Sequence, residues 1–437
     1  MASALTHRSA PLPQAEAATP PDAATPPDAG ASPGAGSLPG SGTGLTPVRL
    51  LMLAAATGLG SLSIDLYLPA FPALAREMGG SQASVQITLT ACVIGLAVGQ
   101  LVAGPLSDAI GRRTPITLGL LGWSITSFLC ALAPSIATLT LLRFAQGLAG
   151  SAGIVVARAV VRDLAAGDQL VRAFARLMLV VGIVPILAPT VGGLMLRVMS
   201  WRWLFVVLGV LGAVFALAIH LGLRESLPQA RRRRGGVLAG FRSYRELLHD
   251  RGYVGAALVV GFTFAALFTY VSSSSFVFIE AYGLDTAQFG LMFATSSIAL
   301  VSGTQLSGLL SGRLNARRHL LLAIAVAALA ALTLLGLTGT GRFGFLGAAA
   351  PIVLMVFGIG MAMPVASSLA MSRHPERAGA ASALLGLFQF TVGGVVAPLV
   401  GAIGTGSVLP MAVAVLGCLL LALGLQTFAA RRDLRRG

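Results

Sequence analysis

The chain has 437 residues, of which 56% are hydrophobic and only 10% charged, with a mean hydropathy of +0.86. Soluble domains carry about 25% charged residues, so this composition excludes an ordinary water-soluble domain and points to an integral membrane protein. The formal charge of +15 would suit a nucleic-acid partner, but its placement, described below, is that of membrane topology, and no nucleic-acid partner is expected.

Residues 1–47 are rich in Pro, Ala, Gly, Ser and Thr, lack apolar periodicity, and read as a disordered cytoplasmic tail without a cleavable signal peptide. Twelve apolar runs follow, near 48–70, 84–104, 115–133, 136–161, 173–197, 201–223, 253–279, 288–311, 319–338, 343–372, 378–404 and 407–430. Each is about as long as a helix that crosses a bilayer, roughly 20 residues. The expectation is an all-α integral membrane protein of twelve helices. An N-terminal six-helix half (48–223) and a C-terminal one (253–430) are joined by a central loop (224–252), with a short C-terminal tail (431–437).

In chain order, the first run contains SLSIDLYLPAFP (61–72) with a single acid, Asp65, beside Tyr67 and Pro69. An aspartate in lipid costs about 2.5–3.5 kcal/mol on insertion scales, so Asp65 is a functional candidate. A plainer reading puts it at the water interface or at the break before Pro69. GPLSDAIGRR (104–113) follows the second run, where Gly104 and Gly111 permit tight turns and Asp108, Arg112 and Arg113 form a charge cluster. The fourth run carries Arg143 and Gln146 among Gly147, Gly150 and Gly153. Arg143 is either a functional charge or a bond to backbone carbonyls that holds helices together. Arg158 lies nearer the cytoplasmic end, where snorkelling makes it less informative.

In the fifth run, Pro185 and Pro189 remove helix hydrogen bonds, and Gly182, Gly192 and Gly193 allow close backbone approach, giving a bend and packing face. The seventh run is aromatic-rich (Phe262, Phe264, Phe268, Tyr270, Phe276, Phe278), a face that suits either a flat ligand or lipid, and Glu280 at its end reads as interfacial. Tyr67, Gln146, Phe268 and Gln389 are the candidates for a substrate cavity. Cys92, Cys130 and Cys418 fall inside spans without paired spacing, the five histidines are scattered, and no phosphate-loop lysine exists. No metal site, cofactor or enzyme activity is expected.

All basic Lys-or-Arg positions are arginine. Apart from Arg143 and Arg158 within a span, only Arg76, Arg197, Arg202 and Arg342 fall in odd-numbered loops. That bias places both termini in the cytoplasm. The halves also echo each other: Gly104, Leu106, Ser107 and Arg113 recur as Gly308, Leu310, Ser311 and Arg317, 204 positions later. APTVG (188–192) returns as APLVG (397–401), offset by 209. A duplicated six-helix unit is the plan of transporters that rock two halves around a midplane site.

GPLSDAIGRR resembles the signature loop of the major facilitator superfamily, and the resemblance covers residues 48–430. IDLYLPAFP, RFAQGLAGSAGIVVARAVVRDL and LAPTVGG together resemble its twelve-span drug/proton antiporters, in particular the bicyclomycin/chloramphenicol-resistance (Bcr/CflA) branch. Ala188 stands where the antiporter motif has the glycine before its proline. The resemblance implies the major facilitator fold, with Asp108 and Arg112 as a conformational latch, whereas topology alone would account for the arginines only. In the second half Gly312 stands where Asp108 would be, so that latch is expected to be weaker.

At 1.5 Å per residue, Asp65 lies roughly 25 Å from the cytoplasmic edge and Arg143 roughly 10 Å below the outer edge, so the two can meet. A carboxylate beside an arginine keeps its charge, and one left alone in a dry cavity takes up a proton. Asp65 with Arg143 is therefore the expected proton-coupling pair of a monomeric exporter in a bacterial-type inner membrane. It would exchange protons for small amphiphilic drugs. An exporter of one dedicated metabolite or amino acid is the alternative, followed by a proton symporter or a non-transporting sensor.

Overall fold

The computed structural model describes residues 45–165, 167–232, 245–311, 313–340, 344–374, 378–403 and 407–434. The expected tail (except residues 45–47), the middle of the central loop, Gly312 and the last three residues lie outside the described residues.

The first span is a helix, Pro47–Asp65, continued by a 3₁₀ turn, Leu68–Ala70, and a short helix, Phe71–Glu77. Its break has a local cause. Pro69 has no N–H to offer the Asp65 carbonyl, so the helix stops at the acid. The second to sixth spans are Gln82–Ile110, Arg113–Ala131, Ile136–Leu164, Gly167–Met195 and Trp201–Gly222. The seventh to twelfth are Arg251–Ser275, Thr286–Leu310, Ala316–Thr340, Gly344–Met371, Ala378–Ile403 and Leu409–Leu434, the last running past the expected end at 430. A side-chain oxygen satisfies the first free N–H groups at several starts: Ser81 accepts from Ser84 (3.2 Å), Ser135 from Thr138 (3.2 Å), and Asp285 with Gln288 forms a capping box.

Among the described residues, eleven helices are long and apolar enough to cross a membrane. The fifth helix is represented among the described residues by the apolar stretch Gly182–Met195, and its sequence carries no charge from Leu177 to Met195. Large apolar side chains such as Leu118, Leu141, Val214, Leu329 and Leu399 remain on the outside, as they do where the surroundings are lipid.

Within the first six helices the first packs on the fourth, fifth and sixth, the second on the fourth, and the third on the fourth and sixth. Each of these pairings recurs six helices later. The main contacts between the halves are fifth with eighth and second with eleventh, which the same repeat interchanges. They lie towards the end carrying Glu77, Glu280 and Asp285, called here the far end. The other, arginine-rich end carries Arg112, Arg113 and Asp250.

Candidate functional site: a cavity between the halves

At the far end the halves meet backbone to backbone. A Cβ on Gly193 of the fifth helix would collide with the Thr286 carbonyl of the eighth, and one on Gly290 with Pro189 and Thr190. Gly192 instead faces the Leu66 carbonyl and the Pro69 ring inside its own half. Two ion pairs also cross between the halves here, Arg197–Asp285 (3.0 Å) and Arg76–Glu280 (3.5 Å), while Arg202 pairs with Glu77 within the first half. Three of the four arginines that depart from the topology rule are thus neutralised by a carboxylate.

Below this seal lies a cavity of about 1070 Å³, lined from both halves. Met371, the last residue of the tenth helix, and Ser382, near the start of the eleventh, are among its walls. The space therefore reaches the arginine-rich end. Its side wall is aromatic: Phe264 and Phe268 stack at 5.7 Å between centroids, and Phe390 meets Phe264 edge-on at 5.3 Å. Gln100, Gln305 and Gln389 supply amides.

Two expected cavity residues, Phe268 and Gln389, line this space, and two, Tyr67 and Gln146, do not. Tyr67 is fully buried between Phe71 and Phe205, its hydroxyl 2.5 Å from Thr88 Oγ1. Gln146 is fully buried in the first half, donating to Ser127 Oγ at 2.6 Å. Tyr270, Phe276 and Phe278 of the aromatic span are buried in protein rather than facing lipid.

Asp65 lines the cavity at 7% exposure, and among the described residues no hydrogen bond or ion pair holds its carboxyl. The expected contact with Arg143 is not made. Arg143 is fully buried, donates to Gln146 Oε1 at 2.5 Å, and lies 4.9 Å and 5.6 Å from the ring centroids of Tyr67 and Phe205. Its Nε and Nη2 have no partner among the described residues. The depth arithmetic put Arg143 at the level where it meets Tyr67, two residues past the acid. Asp65 is the last residue of the helix and Tyr67 lies in the turn beyond it, and there Tyr67 takes the arginine while Asp65 faces the cavity. The charged companion of Asp65 among the lining residues is Arg158, which depth alone had set aside.

Proline chemistry explains two more lining residues that the sequence reading missed. Pro189 leaves the Pro185 carbonyl without its helical donor, and Ser297 Oγ of the other half lies 3.1 Å from it, sharing its proton with the Phe293 carbonyl of its own helix at 2.9 Å. Pro364 likewise frees the Gly360 carbonyl, which accepts from Thr304 Oγ1 at 3.1 Å. The signal was present: a proline four residues on marks each carbonyl in need of a donor.

At the arginine-rich end Asp108, Gly111, Arg112 and Arg113 do come together. Arg112 bridges Asp108 (2.5 Å) and Asp163 (2.9 Å), and its N–H and that of Arg113 donate to Glu225 at 2.8 Å and 3.2 Å. Gly111 has φ of 105°, and a Cβ there would strike the Glu225 carboxylate. Gly104 is no turn residue. It lies inside the second helix, and a Cβ there would make only an ordinary contact with Val155. Burial opposes ionisation of Glu225, but the N–H groups of Arg112, Leu227 and Arg113, with the Arg232 charge, outweigh it and hold its pKa below the ordinary value. None of these hydrogen bonds or ion pairs reaches the second half among the described residues. There, Asp250 binds His374 at 2.8 Å.

Two pseudo-equivalent six-helix bundles, packed together at one end around a cavity with an acid in its wall, have the architecture of a membrane transporter. The Major Facilitator Superfamily model matches residues 53–398, and the chain belongs to that superfamily of membrane transporters. It is 39% identical to the MFS-type transporter YdgK of Bacillus subtilis (strain 168), over 78% of this chain and 86% of that one. It is 29% identical to the bicyclomycin resistance protein homolog of Haemophilus influenzae, over 89% and 98% of the respective chains. Multidrug resistance protein D of Escherichia coli (strain K12) is 28% identical over 80% and 87%. These relatives bear out the resemblance read from the motifs. The fold also matches the crystal structure of a D-xylose-proton symporter, with TM-score 0.71 and 15% identity over 87% of this chain and 96% of that one.

Proposed function

We propose that the protein exports amphiphilic drugs or antibiotics across a bacterial-type inner membrane in exchange for protons, with both termini and the arginine-rich end in the cytoplasm. The observation that carries this reading is Asp65, a carboxyl with no hydrogen bond or ion pair among the described residues, in the wall of a largely apolar cavity between two halves. Such a group holds either a proton or the cationic part of a substrate, one at a time, and that mutual exclusion is the coupling. The relatives named for bicyclomycin and multidrug resistance support drugs as cargo. The aromatic wall and scarcity of fixed charge suit broad recognition. Sealing at the far end with a cavity reaching the other matches one half of an alternating-access cycle. In this reading Asp108 and Arg112 tie the helix ends on the cytoplasmic side, and Arg143 is an internal brace beside Asp65 rather than its partner.

The test is proton release from purified protein in detergent on adding a panel of candidate drugs, beside an Asp65→Asn variant. Release by the wild type that vanishes in the variant is the expected result. Release that persists in the variant moves the proton elsewhere, and silence of the folded wild type across the panel refutes drug exchange.

A further inference from the structure

The cavity has two titratable groups among its lining residues, Asp65 and Arg158. They occupy different levels. The first and fourth helices touch where Gly153 packs on the Ala56 carbonyl. From there Asp65 is nine residues towards the far end, and Arg158 is five residues towards the arginine-rich end. At 1.5 Å per residue their Cα atoms are about 20 Å apart along the bundle, before the reach of the arginine side chain. Arg158 is exposed on the cavity side, and no hydrogen bond or ion pair holds it among the described residues. Phe264 and Phe268, 13 and 17 residues into the seventh helix from Arg251, and Phe390, 12 residues into the eleventh from Ala378, stand at intermediate levels by the same arithmetic and line the cavity.

A cavity with a base towards its open end, an aromatic middle and an acid deeper in is itself a long dipole. We infer that its preferred substrates are zwitterionic amphiphiles, with an acidic group held by Arg158, an aromatic frame against the phenylalanines, and an amine at Asp65. The inference rests on the exporter reading and refines its substrate class. A purely cationic amphiphile meets Asp65 but passes an arginine that repels it. A zwitterion satisfies both charges. An arginine that only fixed topology would need no access to the cavity and would not discriminate between ligands that share one cation.

Three probes separate these cases: norfloxacin, whose carboxylate and piperazine amine lie at opposite ends of a flat aromatic frame; its methyl ester, which keeps only the amine charge; and tetraphenylphosphonium. Binding to the purified protein is measured by calorimetry. The unmodified protein should prefer norfloxacin to its ester by about tenfold, the scale of one charge pair in a water-filled cavity. Arg158→Gln should abolish that preference while leaving the ester within about twofold of its wild-type affinity, and Arg158→Lys should retain most of the preference. A wild type that binds the ester as tightly as norfloxacin overturns the inference without any variant, as does an Arg158→Gln variant that weakens all three probes alike. Either outcome leaves the exporter reading intact. A folded wild type that binds none of the three refutes drug recognition by this cavity, and the zwitterion preference with it.

Discussion

Alanine at Gly193 should push the protein towards the state open at its far end. Gly193 abuts the Thr286 carbonyl across the boundary between the halves, and Thr286 Oγ1 donates to the Gly193 carbonyl at 2.8 Å. A methyl group there overlaps backbone, which yields only if a helix moves. Overpacking of this kind costs about 1–3 kcal/mol. Replacing glycine by alanine in a helix is itself favourable by about 1 kcal/mol, but that gain is present in both states and cancels between them. The net penalty falls on the sealed state alone and corresponds to a population shift of about 5–150-fold. Gly192→Ala is the control, because its methyl would meet Leu66 and Pro69 inside one half, lowering stability without moving the halves. The assay is a spin-label distance measurement between Val198→Cys and Leu291→Cys, both on exposed positions near the far end. The three native cysteines are buried and can be left in place. Gly193→Ala should lengthen the distance. An unchanged distribution, or an equal lengthening in Gly192→Ala, would refute the assignment of this contact as the seal.

The far-end ion pairs bias the same equilibrium, so Arg76→Gln combined with Arg197→Gln should lengthen that distance. Salt should do so in the unmodified protein, since screening tightens from about 10 Å at 0.1 M to about 3 Å at 1 M; an insensitive distance would leave the pairs without a gating role. Acid should act at the other end. The pKa of Glu225 is held below its ordinary 4.5 in the folded protein, so its contribution to stability is present above the unfolded value and is lost as pH falls through the folded one. Thermal denaturation should show this as a loss below about pH 4.5 that Glu225→Gln flattens.

The division of labour between sequence and tertiary structure follows from what helices report. Depth is linear in residue number, so the apolar runs and the levels of Asp65 and Arg143 were legible from the chain. So was the packing role of Gly192 and Gly193, because two prolines among glycines already specify close backbone approach. Rotation about the helix axis was not legible. In a soluble helix the apolar stripe marks the buried face, but in lipid both faces are apolar and the stripe loses its contrast. The break at Asp65–Pro69 further resets the rotation of the residues beyond it. Hence only the assembled bundle decided that Tyr67 meets Arg143, that Gln146 is internal, and that Asp65 shares its cavity with Arg158. Ser297 and Thr304 belong with these, since a carbonyl freed by proline is visible in the chain but its donor comes from whichever helix packs alongside.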